Sequence, residues 1–294
     1  MKKLADRIKR IGLIGNSQKV ACAAAVSRAA RLVRAAGRKV FSDVSTAGLA
    51  NLKAVVCPDA AALSREVDLL LVFGGDGTML RAAREIAGSL TPILGINIGG
   101  LGFLTAVNSA DLARALKRVW AGEFRFESRA LIEASGKSRR GQMLQAALND
   151  IVIGRGIASR LIELDVRLDR EPLTRYRCDG LIISSPTGST AYSLAAGGAV
   201  VFPTADVMAL TPISPHTLSN RSLILPASST IQVRVVHSSP ATILSADGQV
   251  VSELDSGDVI TIRRSRRAVR LMNLSGGSFC ETLRRKLHWR GANL

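Results

Sequence analysis

The chain has 294 residues, 47% of them apolar, which excludes a disordered protein and suffices for one large domain or two ordinary ones. With 40 Lys and Arg against 23 Asp and Glu, the net charge of +17 points to anionic partners. Aromatic residues are only 4%, too few to supply base-stacking platforms, so small anionic ligands are favoured over nucleic acid.

Near the N-terminus, "RIGLIG" 10–15 reads as a buried strand, and its apolar part is too short for a signal-peptide core. The segment 21–37 predicts a helix: Val26, Ala30 and Val33 keep helical spacing. Arg28, Arg31 and Arg34 gather towards its C-terminal end, and Gly37 is a stop. "KVF" 39–41 and "AVVC" 54–57 predict short strands. "VDLLLVF" 67–73 predicts a strand buried on both faces, 79–88 a helix, and "TPILGINIG" 91–99 another buried strand. No apolar run approaches the ~18 residues of a membrane span. This alternation is that of an α/β domain with an open, mainly parallel sheet.

The period then changes. In 160–169, Ile162, Leu164, Val166 and Leu168 alternate with Glu163, Asp165, Arg167 and Asp169, and 231–235 and 259–263 alternate likewise. Period two with one wet face predicts an antiparallel sheet. The expected division is an α/β domain over 1–124 and a β-rich, sandwich-like domain over 125–271. A helical C-terminal segment, 272–294, with Phe279, Leu283 and Leu287 spaced four apart, returns to the first domain. Cys22, Cys57, Cys178 and Cys280 lack the C-x-x-C spacing of zinc or redox sites and are expected as free thiols. The expected compartment is the cytoplasm.

The chemistry concentrates at "VFGGDGTML" 72–80. Gly74, Gly75 and Gly77 let main-chain N–H groups approach phosphate, and the following helix adds its N-terminus. They leave Asp76 unexplained, because a carboxylate repels phosphate. An acid there either holds a divalent cation or accepts a proton from an attacking hydroxyl. Other phosphate motifs do not complete: "EASGKS" 133–138 lacks the first Walker A glycine, and neither "GLIGNS" 12–17 nor "GINIGGLG" 95–102 gives G-x-G-x-x-G.

Five further stretches follow in a fixed order: "LGINIGGLGFLT" 94–105, "LND" 148–150, "DGLIISSPTGSTAYSLAAGG" 179–198, "PHTLSNRSLILP" 215–226 and "DGQ" 247–249. Together with "GGDGTML" they resemble the bacterial NAD kinase family over most of 67–250. The resemblance implies an N-terminal α/β domain, a C-terminal antiparallel β domain and an active site between them. It also implies a homo-oligomer, dimer or tetramer, without nucleic-acid or membrane partners. The implied reaction moves the γ-phosphoryl group of ATP to the 2′-hydroxyl of the adenosine ribose of NAD, giving NADP, with a divalent cation such as Mg2+. Inorganic polyphosphate as donor and NADH as acceptor stay open.

By the same resemblance, Asp76 is the general base and also contacts NAD, with Gly77. Gly74, Gly75 and Thr78 line the phosphate donor, and no side chain is assigned to the metal. NAD contacts fall at Arg81, Asn149, Asp150, Arg160, Arg177, Asp179, Thr187, Thr190, Ala191, Tyr192, Ser193, Ala195 and Gln249. Asp150 stands where the family commonly has Glu, and Ala195 where it has Ser. Losing that hydroxyl removes a hydrogen bond of ~0.5–1.5 kcal/mol. Three other readings remain: a G-G-D-G kinase of lipid or sugar hydroxyls, a non-catalytic nucleotide sensor and, last, a basic nucleic-acid binder.

Overall fold

The computed structural model describes residues 2–100, 102–105, 107–138, 141–156, 160–216, 221–237, 242–274 and 278–289. The chain forms two compact units, one from 1–128 with 268–294 and one from 129–267. The chain leaves the first unit along the strand Phe124–Ser138 and returns along Val259–Leu274.

The first unit is built on a parallel sheet. Its strands run in the order Val55–Cys57, Lys39–Asp43, Arg10–Gly15, Leu69–Gly74, Ile93–Asn97, with Leu271 beside Ile93. The central strands are apolar because both faces are covered; Leu69–Gly74 is buried throughout. The helix Val20–Ala35 buries Cys22, Val26, Ala29, Ala30 and Val33 on one face, and Gly37 follows it with φ +71°. Two short helices, Val44–Ala50 and Ala60–Glu66, are started by side chains: Asp43 accepts the Thr46 N–H, and Asp59 that of Ala62. The helix Phe279–Lys286 belongs to this unit, with Leu283 buried.

The second unit holds a six-stranded antiparallel sheet. Its order is Leu223–Pro226, Val207–Ile213, Gly180–Ser184, Asp150–Gly154, Thr242–Ala246, Gln249–Leu254. A second antiparallel set pairs Glu171–Cys178, Ile162–Leu168, Ile231–His237 and the start of Val259–Leu274. Ile151, Ile153, Leu181, Ile183 and Leu244 from the first sheet share one core with Leu164, Val166, Val233, Ile260 and Ile262 from the second. In Ile162–Leu168, Ile162, Leu164 and Val166 are buried while their neighbours are not, as the alternation predicts.

Among the described residues no helix is long and apolar enough to cross a membrane. All four cysteines are free thiols, with Cys22, Cys57 and Cys178 buried and Cys280 exposed.

Candidate active site

The glycine turn closes the strand Leu69–Gly74 beside the C-terminal end of Arg10–Gly15. From Arg10–Gly15 the sheet grows in one direction through Lys39–Asp43 and in the other through Leu69–Gly74. That is a topological switch point, the place where open α/β sheets leave a crevice for ligands. Side chains tie the two strand ends together. Asn16 Nδ2 donates to Thr78 Oγ1 at 3.4 Å, and Arg81 Nη2 donates to the Gly15 carbonyl at 3.2 Å.

The helix after the turn starts at Asp76, earlier than the residue-79 start expected from the sequence, with Gly75 as its N-cap. The Thr78 and Met79 N–H groups both donate to the Gly75 carbonyl, at 3.0 and 3.2 Å. Asp76 therefore sits in the first helical turn, where the dipole favours an acid.

Both oxygens of Asp76 are held. Oδ2 accepts the Phe103 N–H at 2.8 Å and Oδ1 the Leu104 N–H at 3.0 Å. The segment that supplies them is shaped by Asn97, whose Nδ2 donates to the Gly100 carbonyl at 2.6 Å and whose Oδ1 accepts the Gly99 N–H at 2.7 Å. A Cβ on Gly102 would lie 2.0 Å from Asp76 Oδ1, so only glycine lets the carboxylate in. The buried Thr105 Oγ1, 2.7 Å from that same point, has no hydrogen-bond partner.

The glycines of the turn serve different ends. A Cβ on Gly74 would meet Thr78 Oγ1 at 2.2 Å, so packing requires that glycine. On Gly75 or Gly77 it would meet nothing within 4 Å, and neither residue has a positive φ. The protein's own packing demands no glycine at 75 or 77. Bare backbone there leaves room for an anion against the helix N-terminus.

In the second unit the hairpin turn Asp247–Gly248 has φ +48° and +76°, the two-residue turn expected of Asp-Gly. The Asp247 carboxylate accepts the N–H groups of Leu148 (3.1 Å), Asn149 (2.7 Å) and Asp150 (3.4 Å). The Asn149 carbonyl in turn accepts the Ser185 N–H at 2.8 Å. A Cβ on Gly188 would stand 2.1 Å from that carbonyl oxygen, so the 3-10 turn Thr187–Thr190 lies directly against Asn149. Beneath it, the buried Arg129 Nη1 donates to the buried Thr187 Oγ1 at 3.2 Å. Asn149, Asp150 and the turn residues thus share one network.

The remaining residues divide. Asp150 is buried, and burial, then the charge of Asp247, pushes its carboxyl up to about 7. Thr190 Oγ1 donates to the Thr187 carbonyl at 3.3 Å, and Ser193 Oγ shares a hydrogen bond with Thr211 Oγ1 at 3.0 Å. Tyr192 is 47% exposed, Ala191 is half-buried, and Ala195 lies at the surface. Asp179 Oδ1 is ion-paired with Arg155 Nε at 2.7 Å. Arg160, Arg177 and Gln249 are exposed, Arg177 opposite Glu163 in the strand register. Burial pushes the Cys178 thiol up to about 12, so it is no nucleophile. Among the described residues no cluster of three or more His, Cys, Asp or Glu could hold a metal by itself.

Sequence reasoning did not single out Asn97, Gly102, Arg129, Arg155 or Asp247 as parts of these networks. Asp247 read only as a turn residue, because its three acceptor contacts depend on which strand the hairpin lies beside.

Two family models match the chain: the ATP-NAD kinase N-terminal domain over residues 11–124 and the ATP-NAD kinase C-terminal domain over residues 148–274. An NAD kinase of Methylibium petroleiphilum is 37% identical over 291 residues, covering 97% of this chain and 96% of the relative. An NAD kinase of Symbiobacterium thermophilum is 43% identical over 257 residues, covering 87% and 90%. Among solved structures, yeast NADH kinase complexed with NADH aligns with a TM-score of 0.89 at 26% identity, covering 98% of this chain and 89% of that one. An Archaeoglobus fulgidus NAD kinase in complex with ATP aligns at 0.73 and 24% identity, covering 96% and 100%, and shares the fold.

Proposed function

The chain belongs to the ATP-NAD kinase family and phosphorylates NAD with ATP, and from that premise we propose that Asp76 is the general base of the transfer. The observation that carries this is the grip on its carboxylate by the Phe103 and Leu104 N–H groups in a pocket only Gly102 permits.

In the proposed step the ribose 2′-oxygen attacks the γ-phosphorus of ATP. Its proton passes to Asp76, the bond from the γ-phosphorus to the bridging oxygen breaks, and ADP leaves. Such a transfer depends on positioning and charge neutralisation more than on the base, which contributes ~10²–10⁴-fold. Asp76 suits the task because each oxygen holds one N–H donor, which fixes the carboxylate plane, and a carboxylate oxygen has a second lone pair. The bare backbone at Gly75 and Gly77 with the helix N-terminus receives the donor phosphates, and Thr78 is held beside it by Asn16.

A divalent cation fits this donor set as a passenger of the nucleotide. Mg2+ keeps several water ligands and binds substrate phosphates, so with Asp76 serving as the base no side chain is assigned to it. When bound it would neutralise phosphate charge.

NAD recognition is assigned to the second unit. Asn149 and Asp150, held by Asp247, would meet adenine and ribose, and Thr187, Thr190, Ala191, Tyr192, Ser193 and Ala195 would form the adjoining wall. Arg160, Arg177 and Gln249 are exposed and available to the dinucleotide. Asp179 would act through its pair with Arg155. The same reading includes a cytoplasmic dimer or tetramer, which sedimentation of the pure protein tests.

The deciding experiment measures NADP formation by the pure protein from NAD with Mg-ATP, then with polyphosphate, and again with Asp76→Asn. NADP is expected from ATP, and the variant is expected to lose about two to four decades of turnover while still binding NAD. Near-normal turnover in Asp76→Asn would refute the assigned base.

A further inference from the structure

The run Arg263-Arg264-Ser265-Arg266-Arg267 is the densest basic cluster in the chain, and the reaction above makes no use of it. It lies within the strand Val259–Leu274, where its four arginines are exposed and Ser265 is buried. A regular strand alternates its faces; here two exposed residues flank the buried serine on each side, which turns both arginine pairs outward. Arg263, Arg264, Ser265 and Arg266 line an open cleft of about 450 Å³ whose other wall is Ala227, Ser228 and Thr230.

Two of the guanidinium groups are held in place. Arg263 directs both Nε and Nη2 at Glu133 Oε1, each at 2.9 Å, and Arg264 Nη1 pairs with Asp206 Oδ1. Burial alone would raise the Glu133 carboxyl. The hydrogen bond with Ser265 and the Arg263 guanidinium, with Arg267 behind them, instead hold it below the usual range, so it is a charged anchor. A guanidinium has five N–H donors, so both paired arginines have donors to spare. Among the described residues Arg266 has no ion pair. Three guanidinium groups line the cleft and two of them are paired with carboxylates, so the unpaired Arg266 leaves the lining one charge positive.

We propose that this cleft is a binding site for an inorganic oligophosphate chain, formed by residues other than those of the glycine turn. Planar forks bind phosphate oxygens in pairs, which lysine cannot do. Holding Arg263 and Arg264 by carboxylates beforehand reduces the ordering penalty on binding. The hydroxyls of Ser228 and Thr230 add neutral partners on the opposite wall. The cleft has no aromatic residue and one apolar one, Ala227, so neither stacked bases nor a lipid chain finds a surface there.

Titration calorimetry of the full chain with inorganic tripolyphosphate tests this against Arg264→Gln/Arg266→Gln. Binding at the glycine turn is common to both proteins, so the difference reads the cleft. The wild type should show a class of sites that Mg-ATP does not displace. The double variant should weaken that class at least about tenfold, the scale of a lost charge-assisted hydrogen bond. NADP formation from ATP should be unchanged in kcat and KM. If the double variant melts early, Arg266→Gln alone, which breaks no ion pair, is expected to weaken the same class. Binding that is identical in the variants, or fully displaced by Mg-ATP, overturns the proposal. So does a mixed-sequence oligonucleotide that outcompetes tripolyphosphate, which would assign the cleft to a nucleic-acid backbone.

Discussion

Asp76 and Gly102 define each other. The acid occupies the volume that any other side chain at 102 would take, as the 2.0 Å approach of a Cβ to Oδ1 shows. Gly102→Ala should therefore displace the carboxylate while leaving the buried strands intact. A misplacement of this order lowers turnover by about two decades, and comparing kcat with the melting temperature separates that from unfolding. Asp150 gives a second residue-level expectation. Its folded pKa of about 7 lies above the ordinary carboxylate value, so between about pH 4 and 7 the folded state holds a proton that the unfolded state releases. Its contribution to stability therefore falls as pH rises through that window and is level above it. Asp150→Asn should flatten this slope, gaining most over wild type at pH 8 and least at pH 4 in thermal melts. The acid in its glycine turn was legible from the sequence, because those residue types suit few other purposes. Its grip was not: Phe103 lies 27 positions away along the chain, and the contact follows from strand order.

At the scale of elements, the hairpin carrying Asp247 sets the path of 148–150. Asp247→Ala removes an acceptor from three N–H groups and places alanine at φ +48°. A loss of about 1–3 kcal/mol is expected in denaturant unfolding, together with a rise in KM for NAD larger than the fall in kcat. The elements that could be read were those with a clear period. Ile162–Leu168 alternates because one face is wet, and Leu69–Gly74 reads as an unbroken apolar run. The strands Asp150–Gly154 and Gly180–Ser184 were not singled out: they are buried like Leu69–Gly74, but their apolar runs, Ile151–Ile153 and Leu181–Ile183, are too short to stand out. The helix start was placed too late because Asp76-Gly77-Thr78 are poor helix formers; Gly75 and the first-turn hydrogen bonds carry the helix back to Asp76. The short helices Val44–Ala50 and Ala60–Glu66 depend on their Asp caps more than on an apolar face.

Across the whole molecule, the charge of +17 should act on encounter with anionic nucleotides. Raising ionic strength from about 0.05 to 0.3 M shortens the Debye length roughly 2.4-fold and screens this attraction, so KM for ATP should rise by a few-fold with kcat steady. Initial rates at constant Mg2+ across a salt series check this. The crossing of the chain at Phe124–Ser138 and Val259–Leu274 has a consequence for synthesis. On the ribosome, the contiguous body 129–267 is finished before Leu271 exists to lie against Ile93. Chains acquire structure in the order they emerge. The five parallel strands, all within residues 10–97, can therefore form first and the antiparallel body after them, while the edge of the parallel sheet at Ile93 stays one neighbour short until almost the last stretch is translated.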